Sequence, residues 1–143
     1  MTINEAVHRI DNIKPNTYSM PEKIKWLSTL DGIIKKQIID THQNGESVVF
    51  NGYTEETDLK TQLLVPAPYD DIYLFYLESK IDYWNGEVKK YNNSNAMFIE
   101  AYDEFAKYYN RMNMPPGGKF GYKGSGTTTS TTNGIMEITI EEA

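Results

Sequence analysis

The sequence predicts a mainly α protein: a four-helix bundle with an inserted β hairpin, or flap, at about residues 46–65 and an extended C-terminal tail that ends in a β-strand. Four segments place apolar residues at spacings of three and four, the period of an amphipathic helix. Asn51-Gly52 lies between β-forming residues, which is a strong hairpin signal. Pro115 opens a Gly/Thr-rich stretch that ends in alternating apolar residues. We therefore divide the 143 residues into a helical domain, 1–114, and a flexible tail, 115–143.

The first two helices have recognisable start signals. Thr2 and Glu5 have the spacing of a capping box, so we expect a helix over about residues 3–13. Ser19 and Glu22 repeat this spacing and predict the start of a second helix. The expected apolar stripes are Ile3, Ala6, Val7, Ile10 and Ile13 in the first helix, and Ile24, Leu27, Leu30, Ile34 and Ile38 in the second.

The remaining boundaries follow from breakers and caps. The second helix is expected to end near His42, before an Asn-Gly pair. Acidic residues at 70–71 suit the first turn of a third helix, which Asn92-Asn93 would end. Ser94 is expected to cap a fourth helix, which the Pro-Pro-Gly-Gly stretch from Pro115 stops.

The third helix is apolar over most of its circumference, and Gly86 interrupts it. Such a helix is central, or it is shared between the core and an interface. The chain also contains 11 tyrosines. A tyrosine buries a large ring while its hydroxyl stays polar, so the excess suits either a Tyr-rich core or surfaces that are covered on assembly.

The flap and the tail are the segments most in need of a partner. An isolated hairpin is marginal in water, so the flap requires the bundle or a neighbouring subunit. A strand on a flexible tether can add to a sheet edge of a neighbour, or it can fold back onto the flap of its own chain. We expect interface residues on both segments: Val49, Phe50 and Tyr53 on the flap, and Ile135, Ile138 and Ile140 on the tail.

No arrangement of residues predicts catalysis, a cofactor or a metal site. There are no cysteines, and the two histidines, His8 and His42, lie on different expected helices without metal-ligand spacing. The glycine-rich stretches lack the strand and capped helix of a phosphate-binding loop. Isolated acids on the third and fourth helices are expected on solvated faces: Glu78, Asp82, Glu100 and Asp103. We therefore expect a non-enzyme.

Charge and hydropathy indicate which partners and which cellular compartment to expect. The net charge is −6 and no stripe of Lys or Arg stands out, which argues against a phosphate-binding surface. The polar N-terminus does not have the pattern of a secretory signal, and no apolar run approaches the roughly 18 residues of a membrane span. A soluble intracellular product without a membrane partner is expected.

The order of elements is similar to that of a known family. Leu63-Leu64-Val65-Pro66-Ala67-Pro68-Tyr69 leads into a long helix with aromatics near its end, Asp82-Tyr83-Trp84-Asn85-Gly86-Glu87. A further aromatic-rich helix follows, Asn95-Ala96-Met97-Phe98 through Tyr108-Tyr109-Asn110. Over about residues 1–114 this resembles the head–tail connector (adaptor) proteins of tailed bacteriophages and prophages of Gram-positive bacteria.

The resemblance implies a structural virion protein of the neck, present in the host cytoplasm during assembly. Such a subunit forms a homo-oligomeric ring, typically of twelve copies, beneath the portal protein and extends the DNA channel toward the tail. Its partners are the portal protein, a tail-completion (stopper) protein and passing double-stranded DNA, which it does not bind specifically. The tail from Pro115 lies outside the resemblance. Two alternatives remain: another neck or tail-completion protein, and a small cytoplasmic protein-binding regulator.

Overall fold

The computed structural model describes residues 1–115, which form four α-helices joined by loops and two short 3₁₀ turns. The helices are α1 (Ile3–Ile13), α2 (Met20–Gln37), α3 (Ile72–Asn85) and α4 (Val88–Met112). The 3₁₀ turns, Ile39–Thr41 and Gly45–Ser47, follow α2. The mainly helical fold class is thus confirmed.

The predicted starts of α1 and α2 are confirmed by their caps. Thr2 and Glu5 form a reciprocal capping box at the start of α1. The Ser19 side chain accepts a hydrogen bond from the Glu22 backbone N–H, and a proline lies in the first turn of α2. These bonds satisfy backbone donors that an α-helix leaves unpaired at its N-terminus.

Helix α3 is the centre of the fold and packs against α1, α2 and α4. Most of its residues are buried, among them Tyr73, Leu77 and Ile81, as its apolar circumference predicted. The other core residues, in α3 itself and in the elements around it, are Ile3, Ala6, Val7, Ile10, Ile24, Trp26, Leu27, Leu30, Ile34, Ile38, Ile39, Leu63, Val65, Ile72, Leu74, Tyr76 and Phe105.

The boundary between the last two helices differs from the prediction. Helix α3 ends at Asn85, and α4 already begins at Val88. The reason is Gly86, which adopts φ +76° and ψ 20°, the left-handed conformation that ends a helix. Its N–H donates to the carbonyl of Tyr83, and the Glu87 N–H donates to that of Asp82. Asn92, Asn93 and Ser94 are therefore interior residues of α4, since glycine ends the preceding helix without strain.

The predicted β hairpin is not present in the described part of the chain. Between residues 46 and 65 the only β pairing is an isolated antiparallel bridge between Gln62 and Thr2. Gly52 has φ +90°, but the backbone N–H of Tyr53 donates to the Ser28 hydroxyl of α2 rather than to a second strand. The segment is a loop that α2 holds in place, because side-chain partners on the bundle replace the cross-strand ladder. The predicted terminal strand lies outside the described residues.

Helix α4 buries only one side. Its buried residues are Ser94 and Phe105, and it packs mainly on α3. Tyr69 stacks on Tyr108 with ring centroids 4.6 Å apart, and Tyr109 lies edge-on to His42 at 4.9 Å. These contacts hold the C-terminal half of α4 against the loops, while the opposite side of the helix faces solvent.

Candidate interaction surface

The largest exposed aromatic side chains lie where α3 turns into α4. Tyr83 and Trp84 occupy the last turn of α3 and are 55% and 60% exposed. Their rings meet edge to face at 5.2 Å, and Tyr91 of α4 lies 5.5 Å from Tyr83. Val88, at the start of α4, is also exposed. We call this group, Tyr83, Trp84, Val88 and Tyr91, the Trp84 surface.

A concavity of about 380 Å³ lies on one side of Trp84. Tyr18 and Trp26 form its apolar wall with ring centroids 5.5 Å apart. The Tyr18 hydroxyl donates to Asn85 Oδ1 at 2.7 Å, which ties the loop between α1 and α2 to the end of α3. The lining is completed by Thr17, Ser19 and Glu22.

A second concavity, of about 320 Å³, lies on the other side of Trp84, between α3 and α4. Lys80 is the charged residue in its lining, and its Nζ lies 5.4 Å from the centroid of the Tyr76 ring. Lys80 forms no ion pair within residues 1–115. The remaining lining residues are Ser79, Tyr83, Trp84, Tyr91 and Asn95. Aromatic walls with a few polar groups are typical of binding sites.

An ion pair next to the Trp84 surface joins the buried Asp82 of α3 to Lys14, whose side chain is 20% exposed. Asp82 has no exposed area, and its Oδ1 lies 2.7 Å from Lys14 Nζ. The Ser94 hydroxyl donates to Asp82 Oδ2 at 2.8 Å. Its hydrogen bond with Asp82 raises the pKa of Lys14 above the ordinary 10.5, although desolvation opposes this rise. Asp82 is therefore not the solvated helix residue that its sequence position predicted, because Lys14 and Ser94 reach it from α1's C-cap and from α4.

A second exposed apolar feature is the loop that follows the 3₁₀ turns. Val49 is 76% exposed, and within residues 1–115 the backbone of residues 49–52 makes no hydrogen bond. Phe50 is half-buried and lies edge-on to Tyr53 at 5.1 Å. We call residues 46–58, which begin within the second 3₁₀ turn, the Val49 loop.

The Val49 loop is fixed at its C-terminal side by Asp31, a fully buried carboxylate of α2. Asp31 Oδ2 accepts hydrogen bonds from the Tyr53 hydroxyl at 2.5 Å and from the Leu64 N–H at 3.1 Å. Asp31 Oδ1 accepts from the Tyr73 hydroxyl at 2.6 Å, and that hydroxyl accepts from the Val65 N–H at 2.8 Å. One carboxylate thus joins α2, α3 and the two ends of the segment from Tyr53 to Val65.

Burial changes the titration of this cluster. Desolvation raises the pKa of Asp31 above 3.8, and the hydrogen bonds from Tyr53, Tyr73 and Leu64 oppose the rise. Desolvation, followed by the charge of Asp31, raises the pKa of Tyr53 and of Tyr73 well above 10. Both phenols are therefore fixed as hydrogen-bond donors, and the cluster joins the loop to α2 and α3.

The predicted interface residues fall into two groups. The structure brings Val49, Phe50 and Tyr53 together in one loop, where Val49 is free, Phe50 packs beside Gly32 and Tyr53 is bound to Asp31. Ile135, Ile138 and Ile140 lie outside the described residues. Sequence reasoning did not single out the Trp84 surface, although the run Asp82–Glu87 was noted. Reading Gly86 as a helix end would have placed Tyr83 and Trp84 at an exposed terminus.

Both histidines make hydrogen bonds within residues 1–115. His8 Nδ1 donates to the Asn4 carbonyl at 2.9 Å, and His42 Nδ1 donates to the Ile38 carbonyl at 2.7 Å. Within residues 1–115 no three His, Asp or Glu side chains cluster in a way that could hold a metal ion. In the same range, no helix has the length and hydropathy that crossing a membrane requires.

Comparison with known proteins adds no relative. The chain matches no family model, and neither the curated proteins nor the solved structures include a significant match.

Proposed function

We propose that this protein is a structural virion protein, a head–tail connector (adaptor) subunit that assembles into a ring beneath the portal and extends the DNA channel toward the tail. The observation that carries the proposal is the presence of two different exposed apolar features on one small domain: the Trp84 surface and the Val49 loop. A closed ring requires two different faces on each subunit, because every contact joins unlike surfaces.

The two features lie on different sides of α2. Trp26 lines the concavity beside Trp84, whereas Gly32 faces Phe50 of the Val49 loop. Trp26 and Gly32 are six positions apart, which corresponds to roughly 120° around a helix of 3.6 residues per turn. A copy that uses one feature therefore leaves the other accessible to a further copy, as ring growth requires.

The order of elements gives further support. An extended segment with buried Leu63 and Val65 leads into the central helix α3, and the long helix α4 follows with one side open. This is the order on which the resemblance to connector proteins is based. The net charge of −6 suits a channel through which DNA passes without adhering.

Mass measurement with and without a portal protein tests the proposal. We expect the subunit to form a ring-sized oligomer on portal rings from tailed phages of Gram-positive hosts, and negative-stain images should show added density beneath the portal. Density at the tail instead would indicate a tail-completion protein. A species that stays a monomer or dimer with both portal and tail would exclude a neck protein and leave a protein-binding regulator.

DNA retention tests the channel role separately. Assembled rings should retain double-stranded DNA no better in low salt than in high salt, because subunits with a net charge of −6 and no Lys or Arg stripe would release few condensed counterions from the phosphates. Tight retention at low salt that decreases steeply as salt is added would contradict this role.

A further inference from the structure

The Val49 loop presents an exposed apolar side chain, and the Trp84 surface borders a concavity that can accept one. Val49 is an apolar side chain that is 76% exposed, in a segment whose backbone makes no hydrogen bond within residues 1–115. The concavity of about 320 Å³ between α3 and α4 is large enough for such a side chain with part of its own loop, and its size lies at the lower end for binding pockets.

The charges of the Val49 loop and of the concavity between α3 and α4 are also complementary. The Val49 loop contains four acids and no Lys, Arg or His: Glu46, Glu55, Glu56 and Asp58. Within residues 1–115 none of these four forms an ion pair, and neither does Lys80, which lines the concavity. Opposite charges that lack partners within a subunit set the register of a contact between subunits.

Within one copy the two features lie on different elements: the Val49 loop is held against α2, whereas residues of α3 and α4 line the concavity. Tyr53 binds Asp31 and Ser28, which fixes the Val49 loop beside Gly32. Trp84 faces Tyr18 and Trp26 at the start of α2. Because the Val49 loop and the concavity are different surfaces of one molecule, a contact between them can repeat from copy to copy.

We propose that the Val49 loop of one copy docks on the Trp84 surface of a second copy, with Val49 in the concavity between α3 and α4 and the loop acids facing Lys80. This inference deepens the proposed function and rests on it, since it names the contact through which the ring closes. The occupant is a second copy of this chain.

Cysteine cross-linking tests the contact directly, because the natural chain has no cysteine. Val49→Cys places a thiol on the Val49 loop, and Asn95→Cys places one in the lining of the concavity between α3 and α4. In the assembled oligomer, mild oxidation of the double variant V49C/N95C should give a ladder of dimers, trimers and larger species up to the ring. A mixture of the two single variants should stop at dimers, and neither single variant should cross-link with itself.

The matched control is Met112→Cys paired with Asn95→Cys. Met112 is an exposed apolar residue at the far end of α4, outside both features. This pair should give no ladder. Equal ladders from the control pair, or dimers from V49C alone, would overturn the proposed contact.

Charge exchange gives an independent test. Lys80→Glu should weaken self-association by roughly tenfold or more, because it places like charges across the contact. Adding Glu55→Lys and Glu56→Lys to K80E should restore most of the affinity, while the same two changes alone should weaken it. Failure of the combined variant to recover would contradict the pairing of these charges.

The outcomes separate this inference from the proposed function. If ring-sized oligomers form on portal but V49C/N95C does not cross-link, the contact is wrong and the connector role stands. If no oligomer forms with portal while V49C and N95C cross-link between free copies, the contact stands and the connector role is wrong. If neither occurs, both are wrong.

Discussion

The Tyr73 hydroxyl donates a hydrogen bond to Asp31 Oδ1 at 2.6 Å across the contact between α3 and α2, and both side chains have no exposed area. The same hydroxyl accepts from the Val65 N–H. A single phenol therefore satisfies a buried carboxylate and a buried backbone donor. Because unpaired buried polar groups are costly, this small cluster contributes to stability out of proportion to its size.

Replacing Tyr73 by Phe tests this contribution. Tyr73→Phe keeps the ring but leaves the Val65 N–H unpaired and removes one donor from Asp31, so we expect the free energy of unfolding to fall by about 2–3 kcal/mol. Tyr108→Phe is the matched control, because the Tyr108 ring stacks on Tyr69 and its hydroxyl makes no hydrogen bond within residues 1–115. Urea titration measures both variants, and equal losses would contradict the role of the cluster.

The pH dependence of stability should show the burial of Asp31. Its folded pKa lies above 3.8, so the folded state binds its proton more tightly than the unfolded chain. The contribution of Asp31 is then greatest below pH 3.8 and decreases as pH rises through the folded pKa. Wild type should therefore lose stability relative to Asp31→Asn as pH rises, because asparagine does not ionise. A difference between the two proteins that is constant with pH, or that grows in favour of wild type, would contradict a raised pKa.

The sequence predicted the helices better than the interactions between them. The starts of α1 and α2 were predictable because capping is local: Thr2 with Glu5, and Ser19 with Glu22, act within one turn. The hairpin prediction was wrong because it considered only the local preference of Asn51-Gly52. The partner of Tyr53 is Asp31, 22 residues earlier in the chain, and no local pattern encodes such a pairing.

The burial of charged side chains was the second feature that the helical periodicity of the sequence could not predict. Lys23 and Asp82 occupy positions that the helical period places among polar residues, yet Lys23 is 3% exposed and Asp82 is fully buried. Lys23 Nζ reaches Asp11 at 2.6 Å, and Asp82 is paired with Lys14. Such burial depends on how helices pack on one another, which periodicity within a single helix does not report.

Replacing Lys14, which pairs with the buried Asp82, should lower stability more than replacing an exposed lysine. Lys14→Met leaves a buried carboxylate with only the Ser94 hydroxyl as partner. We expect a loss of about 2 kcal/mol, less than the roughly 3–5 kcal/mol of fully buried pairs because the Lys14 side chain is partly exposed. Lys25→Met, at an exposed position of α2, should change stability by less than about 0.5 kcal/mol. Thermal unfolding compares the two, and equal effects would show that the pair contributes nothing specific.

Two glycines should respond oppositely to the same substitution. Gly86 has φ +76° with no atom near an added Cβ, so Gly86→Ala should cost about 1–2 kcal/mol through backbone strain alone. Gly32 lies inside α2, and an added Cβ would meet Phe50 at 3.7 Å, an ordinary contact. Gly32→Ala should therefore stabilise the helix by up to about 1 kcal/mol. Chemical denaturation of both variants decides this, and a stabilised G86A would show that Gly86 is not the required end of α3.

Removing the end of the tail separates folding from assembly. Residues 1–115 already contain a core that extends through all four helices, with Ile3, Leu27, Leu77 and Phe105 fully buried. Deleting residues 134–143, which include Ile135, Ile138 and Ile140, should therefore leave the helical circular dichroism of the monomer unchanged and weaken assembly on portal. A longer truncation, in which the chain ends at residue 126 and the Thr-rich stretch is also removed, serves as a comparison. It should have the same effects. Loss of helical signal in either variant would show that the tail belongs to the core of its own chain, since only a segment that completes the core is needed for the helices to fold.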